Sequence, residues 1–316
     1  MLDGLSLDQL RIFEAAVDEG SFSAAARKLR RTQSAVSETM ANLEAQLGVA
    51  LFDRSARYPR LTTEGAVLLA DARAIVAGVN GLKARAKGIA GGLEPELTAV
   101  IDVFFPITAF AEVAREFRES FSATPLRLYV EALGATVQPV MDGRASFGLV
   151  GSLPTLPAGL TAERLTSVTF VMVAAADHPL AAHRGLIPKA ALAEHVQLVL
   201  TDRSDLSAGR EFGVMSPSTW RLGDLFAKHA FLLSGLGWGG MPLHIVRQDI
   251  DDGRLVILSI EDIPEGGLSL PMSAVYRTSE PPGPAGRWMI ERLKQCPNQA
   301  FVEEAVDEPG NVQYRR

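Results

Sequence analysis

With 316 residues, 47% of them hydrophobic and 22% charged, the chain has the composition of a globular protein and the length for two or three domains. Its longest strongly apolar run, about Val168–Ala176, is far short of a membrane span, Met1-Leu2-Asp3-Gly4 does not begin a secretory signal, and the single Cys296 excludes an internal disulfide framework or a multi-thiolate metal site. The expectation is a cytoplasmic protein without membrane contact; its net charge is −6, yet residues 20–60 carry seven basic groups against three acidic ones, a local cationic face able to meet phosphates.

Ser6-Leu7-Asp8-Gln9 reads as a capping box opening a helix through Leu10, Phe13 and Val17, stopped at Gly20. Ser23 can cap a short second helix, whose Ala24, Ala25 and Ala26 allow close approach of a neighbour. Arg30-Arg31 forms a tight connection, and Thr32 caps a third helix with Val36, Met40, Leu43 and Leu47 on its inner face and Gly48 at its end. Two short helices, a tight turn and a longer helix describe a helix-turn-helix, in which the start of the second motif helix enters the major groove. The outward residues there are Gln33, Ser34, Ser37 and Glu38: Gln can bond adenine bidentately, Ser adapts, and Glu can accept from cytosine. Leu51–Arg54 and Arg60–Thr62 flank a Ser/Pro-containing loop as the strands of a wing would, placing Arg54, Arg57 and Arg60 near phosphate or the minor groove. Periodicity by itself also fits a plain bundle of amphipathic helices with a solvated basic surface.

The string Gly20-Ser21-Phe22-Ser23-Ala24-Ala25-Ala26, then Thr32–Ser37, then Leu43-Glu44, Leu47-Gly48, Leu51-Phe52 and Arg54, then Leu61-Thr62 and Gly65, closely resembles the LysR-family DNA-binding domain over roughly Leu7–Ile75. Glu38 stands where that family usually has Arg, and Ser34 where Pro is common, so no operator sequence is carried over. With Arg30, Arg31 and Thr32 added from the turn, the candidate DNA-binding set is complete.

Beyond Thr62 a helix is expected to about Ile89. Leu68, Ala72, Ile75, Val79, Leu82, Ala86 and Ile89 are spaced 4, 3, 4, 3, 4, 3, an a/d seam for pairing two subunits. The other reading is a helix packed on its own domain. Gly78, Gly81 and Gly88 each weaken the helix by roughly 1 kcal/mol relative to Ala, which favours a partner. The resemblance likewise implies that this helix pairs subunits, and Gly91-Gly92 marks a hinge.

From Leu97 the pattern becomes α/β. Strand-like runs are Thr98–Phe104, Leu126–Glu131, Gly148–Val150, Val168–Ala174, Val196–Leu200, Glu211–Met215 and Pro271–Tyr276, with helices over Thr108–Phe121, Gly134–Gly143 and Asp224–Ser234. The resemblance implies two lobes joined by crossing strands, like a periplasmic binding protein: about 95–167 plus 271–297, and about 168–270. The expected organisation is thus an α/β multi-domain chain, with a winged helix-turn-helix over 1–62, a dimerisation helix and hinge over 63–92, an effector domain over 93–300 and a polar tail over 301–316. Ligands in such folds bind beyond strand C-termini and beside helix N-termini. That singles out Phe105, Ile107, Thr108, Ser152, Thr201, Asp202, Trp220 and Arg221, with Thr108 amides and Arg221 holding a carboxylate and Phe105 and Trp220 as flat walls. Each has ordinary loop or core duty as its other reading.

Gly235–Gly240 satisfies GxGxxG but follows a helix, so it reads as a helix cap and close packing rather than a nucleotide site. The five histidines lack metal-ligand spacing, no GxSxG occurs, and His178 before Pro179 reads as structural. No catalytic residue, metal or cofactor is expected. An enzyme lacks a recognisable constellation, and a bare solute-binding protein leaves the helix-turn-helix unexplained. The expectation is a transcriptional regulator tuned by a small-molecule effector, with promoter DNA, a second copy of itself (dimer or tetramer) and RNA polymerase as partners.

Overall fold

The computed structural model describes residues 4–53 and 59–296, which form two compact units divided after Ala90. In the first unit, α1 (Leu7–Asp18), α2 (Phe22–Leu29) and α3 (Gln33–Leu47) precede a short ribbon, β1 (Phe52–Asp53) with β2 (Arg60–Leu61), and the long α4 (Thr63–Ala90). Side-chain caps set the helix starts. Ser6 and Gln9 close a reciprocal capping box, with the Ser6 hydroxyl accepting the Gln9 N–H at 3.2 Å and Gln9 accepting the Ser6 N–H at 2.7 Å. The cap of α2 is Ser21, not Ser23 as expected, and Thr32 caps α3.

Val36, Met40 and Leu43 are buried against Leu10, Ile12 and Phe13 of α1 and Ala25 and Ala26 of α2. Phe52 enters this core edge-on to Phe13 and Phe22, at centroid distances of 5.7 and 5.1 Å. Glu44 fixes the ribbon's approach by accepting the N–H groups of Leu51 (2.8 Å) and Phe52 (3.0 Å). Gly65 lets α4 start against that turn, because a Cβ there would lie 2.3 Å from the Leu51 carbonyl oxygen.

The second unit contains β3 (Leu97–Asp102), α5 (Ile107–Ser120), β4 (Leu126–Glu131), α6 (Gly134–Met141), β5 (Phe147–Val150) and β6 (Leu160–Ala175). There follow α7 (Lys189–Ala193), β7 (Gln197–Leu200), β8 (Thr219–Leu222), α8 (Leu225–Leu233), β9 (Trp238–Pro242), α9 (Leu243–Asp251), β10 (Leu255–Ile257), β11 (Leu268–Arg277) and α10 (Pro284–Gln295). The sheet order is β4-β3-β5-β11-β6-β9-β7-β8, with β10 also on β6. Parallel trios, β4-β3-β5 and β9-β7-β8, form the two lobes. The antiparallel pair β6 and β11 runs through both, with Ser167 opposite Pro271 and Val168 opposite Leu270. Each lobe has its own core: Ile101, Phe110, Phe147 and Met289 in one, Val173, Leu198, Leu232 and Met241 in the other.

Three element assignments change. Glu211–Met215 is not a strand, the strand beside β7 is Thr219–Leu222, where none was expected, and the end of Gly235–Gly240 runs into a further strand, β9. Turn-forming glycines at 209 and 213, with φ of 73° and 65°, break the first segment, whereas the second pairs residue for residue with Gln197–Leu200. In Gly235–Gly240, Gly235 ends α8 with φ 68°, and a Cβ on Gly240 would lie 2.2 Å from the Phe170 ring. These glycines serve helix termination and close packing.

Candidate functional site

The first unit presents the start of α3 to solvent. Arg30, Arg31, Thr32, Gln33, Ser34 and Glu38 are exposed and Ser37 is half-buried, while Val36, Met40 and Leu43 anchor the opposite face. Arg30 ends α2 in the left-handed region, with φ 56°. Arg31 is not a free cation: its guanidinium pairs bidentately with Asp8, both contacts at 2.8 Å. This exposed pair links the turn to α1. Arg60 is exposed on β2, opposite Asp53, and Arg54 and Arg57 lie outside the described residues.

The seam on α4 divides. Ala72 is buried and Leu68 half-buried against the unit's own core, beside Leu69 and Val76, so this part of the helix serves its own unit. Ile75, Leu82 and Ile89 are exposed and Val79 is half-buried. Among the described residues, α4 is also the one helix long and apolar enough to cross a membrane by length and composition, a property the apolar-run reading passed over. Its Leu69, Ala72 and Val76 are buried in the helix-turn-helix core.

In the second unit a cleft of about 950 Å³ opens between the lobes. Phe104, Phe170, Met172 and Leu198 give it apolar walls, and Ser152, Thr201, Asp202, Arg221 and Lys228 add polar groups. Asp102, fully buried at the end of β3, organises one wall. Its carboxylate accepts the Ser152 hydroxyl (2.6 Å) and the N–H groups of Ser152 (2.7 Å), Gly151 (3.0 Å) and Phe104 (3.0 Å). Burial pushes its pKa up, against the opposing pull of those bonds. Ser152 passes the order on, accepting the Leu133 N–H at 2.8 Å. Leu133 has φ 52°, a conformation costing a non-glycine residue of order 1–3 kcal/mol, and lies at the cleft wall.

The expected effector residues do not form one site. Phe105, Ile107 and Thr108 line a second cavity, of about 450 Å³, together with Asp224, His229 and His244. Phe105 is a core residue of the first lobe, and the flat walls of the main cleft come from Phe104 and Phe170. Trp220 lines neither cavity and packs edge-on against Phe231. Arg221 lines the main cleft but is ion-paired with Glu211. Thr108 and Arg221 therefore do not clasp one carboxylate. In the second cavity, burial pushes the His244 imidazole down to about 4, which keeps it neutral.

A family model described as the LysR substrate binding domain matches residues 90–296, and one described as a bacterial regulatory helix-turn-helix protein, lysR family, matches residues 7–66. The chain belongs to the LysR family of transcriptional regulators. It is 31% identical over 268 residues to the probable HTH-type transcriptional regulator YhaJ of Escherichia coli (strain K12), covering 83% of this chain and 88% of that one. With the HTH-type transcriptional regulator YeeY of the same strain, identity is 30% over 253 residues, 79% of this chain and 82% of the relative. The fold resembles that of the Corynebacterium glutamicum OxyR C206 mutant, with a TM-score of 0.54 at 22% identity and 94% of each chain covered.

The LysR-type architecture, a helix-turn-helix unit and a two-lobed substrate-binding unit, is the one the sequence motifs imply, and its relatives are regulators rather than enzymes. Sequence reasoning missed Lys228. Its signal was present: a lysine three residues after Leu225 and four before Leu232, on the buried stripe of an otherwise apolar helix.

Proposed function

We propose that this LysR-type regulator reads operator DNA with the first turns of α3 and binds a small organic effector in the cleft between its lobes. The observation that carries the reading is the split character of α3. Its inner face is locked by Val36, Met40 and Leu43, while Gln33, Ser34 and Glu38 are exposed in its first turns, Ser34 bonded to the Thr32 hydroxyl at 3.1 Å. Gln33 and Glu38 are the base-reading groups. Arg30 and Arg60 meet phosphate, joined by Arg54 and Arg57 of the wing, and Arg31 reaches DNA only by giving up Asp8.

In this reading a second copy packs along Ile75, Val79, Leu82 and Ile89, as a dimer or within a tetramer, and sets the spacing of two half-sites. Effector binding between lobes biases one arrangement over another through differential affinity. RNA polymerase is the partner that receives the signal, the cytoplasm is the working compartment, and no cofactor beyond the effector takes part. Duplex binding by the full chain, measured across salt concentrations, tests the reading. Tight binding to its own promoter DNA is expected to fall steeply, with a log–log slope of about −0.9 per neutralised phosphate. Equal affinity for promoter and scrambled duplex at every salt concentration contradicts it.

A further inference from the structure

Lys228 is 3% exposed, yet it lines the inter-lobe cleft. Its ammonium has one hydrogen bond among the described residues, to the Gly240 carbonyl oxygen at 2.7 Å, and no carboxylate there pairs with it. An ammonium carries three donors, and an unpaired buried charge is costly. A leucine or methionine on α8 would complete the same apolar stripe without that cost.

The strand across from Lys228 is shaped around it. A Cβ on Gly239 would sit 3.2 Å from the lysine Cε, so the glycine leaves the side chain its path. Arg210 also lines the cleft but is exposed on the loop before β8, and the other charged and titratable groups on neighbouring elements are engaged. His229 on α8 bonds Asp249 at 2.6 Å, and Arg221 on β8 pairs with Glu211. Asp202, after β7, is held by Gly134, Ala135, Ser204 and Ser207, and Asp224 caps α8 through the Ala227 N–H. The Phe170–Ala175 end of β6 and the whole of β9 bring no titratable side chain.

We propose that Lys228 is the anion-recognising group of the cleft, so that the effector is a small organic anion, a carboxylate on an apolar body, whose negative group meets the Lys228 ammonium. The inference rests on the cleft being the effector site. Phe104, Phe170, Met172 and Leu198 receive the apolar body, and Lys228 supplies the charge that none of the residues expected from sequence keeps free. Burial without a counter-charge pushes the amine down to about 7. An anion favours the charged form, so binding raises the amine's pKa and takes up a proton above neutrality. Affinity is then greatest below about pH 7 and declines by up to about tenfold per pH unit above it.

The test is thermal unfolding of the full chain at pH 6.5 and pH 8.5 with benzoate and phenylacetate, each against its amide, and with benzylamine. The acids are expected to raise Tm by a few degrees, more at the lower pH, and the amides and benzylamine to do much less. Lys228→Met removes the charge at similar length and is expected to abolish the response to acids. Calorimetric titration of the wild type at pH 8, in two buffers of different ionisation enthalpy, should show proton uptake. Acids acting no better than amides, or an undiminished acid response in Lys228→Met, overturns the proposal. So does a panel in which no acid acts. Ala208→Trp, at an exposed position lining the cleft, separates the two readings. Neutral probes that stabilise the wild type but not Ala208→Trp preserve the effector cleft while refuting its preference for anions. Silence from every probe counts against both.

Discussion

The Asp202 carboxylate, beyond β7 of one lobe, accepts the backbone N–H of Gly134 at 2.9 Å, at the first turn of α6 in the other lobe. Its second oxygen accepts the Ala135 N–H at 3.1 Å, and the Ser204 and Ser207 hydroxyls donate to the same carboxylate. The helix start thus receives its negative charge from across the cleft. Gly134 is required there, since a Cβ would come within 2.6 Å of the carboxylate. Under the proposed reading, an effector that opens or tightens the cleft would act on this contact.

Asp202→Ala should loosen the lobes. The unpaired amides and hydroxyls lead us to expect a loss of roughly 1–3 kcal/mol at neutral pH, with faster hydrogen exchange in the peptide containing Gly134 and Ala135. Burial raises the Asp202 pKa, but the bonds from Ser207, Ser204 and Gly134 outweigh it, leaving the group below the ordinary carboxylate value. A depressed folded-state pKa gives stability that is present above about pH 4 and lost as pH falls through the folded value. Tm measured between pH 5 and pH 2.5 should accordingly decline less in the variant. Identical acid profiles would refute that role for the contact.

Gly65→Ala places a methyl against the Leu51 carbonyl oxygen, where backbone rather than a flexible side chain must yield. A cost of about 1–3 kcal/mol is expected. It should fall on the helix-turn-helix unit, lowering duplex affinity while any ligand-induced stabilisation of the second unit persists. Unchanged unfolding and DNA binding would show that the turn relaxes freely.

Leu82 is 60% exposed on α4, beyond the stretch used by the unit's own core. Leu82→Glu is expected to shift sedimentation-velocity profiles towards monomer and to weaken binding to paired half-sites more than to a single one. An unaltered oligomer would place the self-contact elsewhere.

Gln33→Ala should relax discrimination at one operator base pair, a change of about 1–3 kcal/mol between cognate and mutated duplex. Arg60→Ala should weaken all duplexes alike and reduce the salt slope by about one. Competition binding against single-base operator variants distinguishes them. Equal losses on cognate and scrambled DNA for Gln33→Ala would remove it from the groove.

Local chemistry carried most of what was legible from sequence. The Ser6–Gln9 capping box, the Thr32 cap and the Val36-Met40-Leu43 stripe depend on residues a few positions apart, so spacing determined them, whereas β8, β9, α9 and α10 were not read from it. The LysR-like pattern was legible as a string of residues, but what Gly65 does in it, the close approach to the Leu51 carbonyl, was visible only in the tertiary structure. Pairings across the chain were a matter for the tertiary structure. Asp8 neutralises Arg31 and Glu211 neutralises Arg221; Thr108 falls into a different cavity from Ser152 and Asp202; part of the α4 seam turns inward. Lys228 belongs to both levels. Its place on an apolar stripe is written in α8, but whether a carboxylate waits at the end of that stripe depends on β7, β8 and β9. A charge's partner is set by the approach of distant segments, which sequence spacing does not encode.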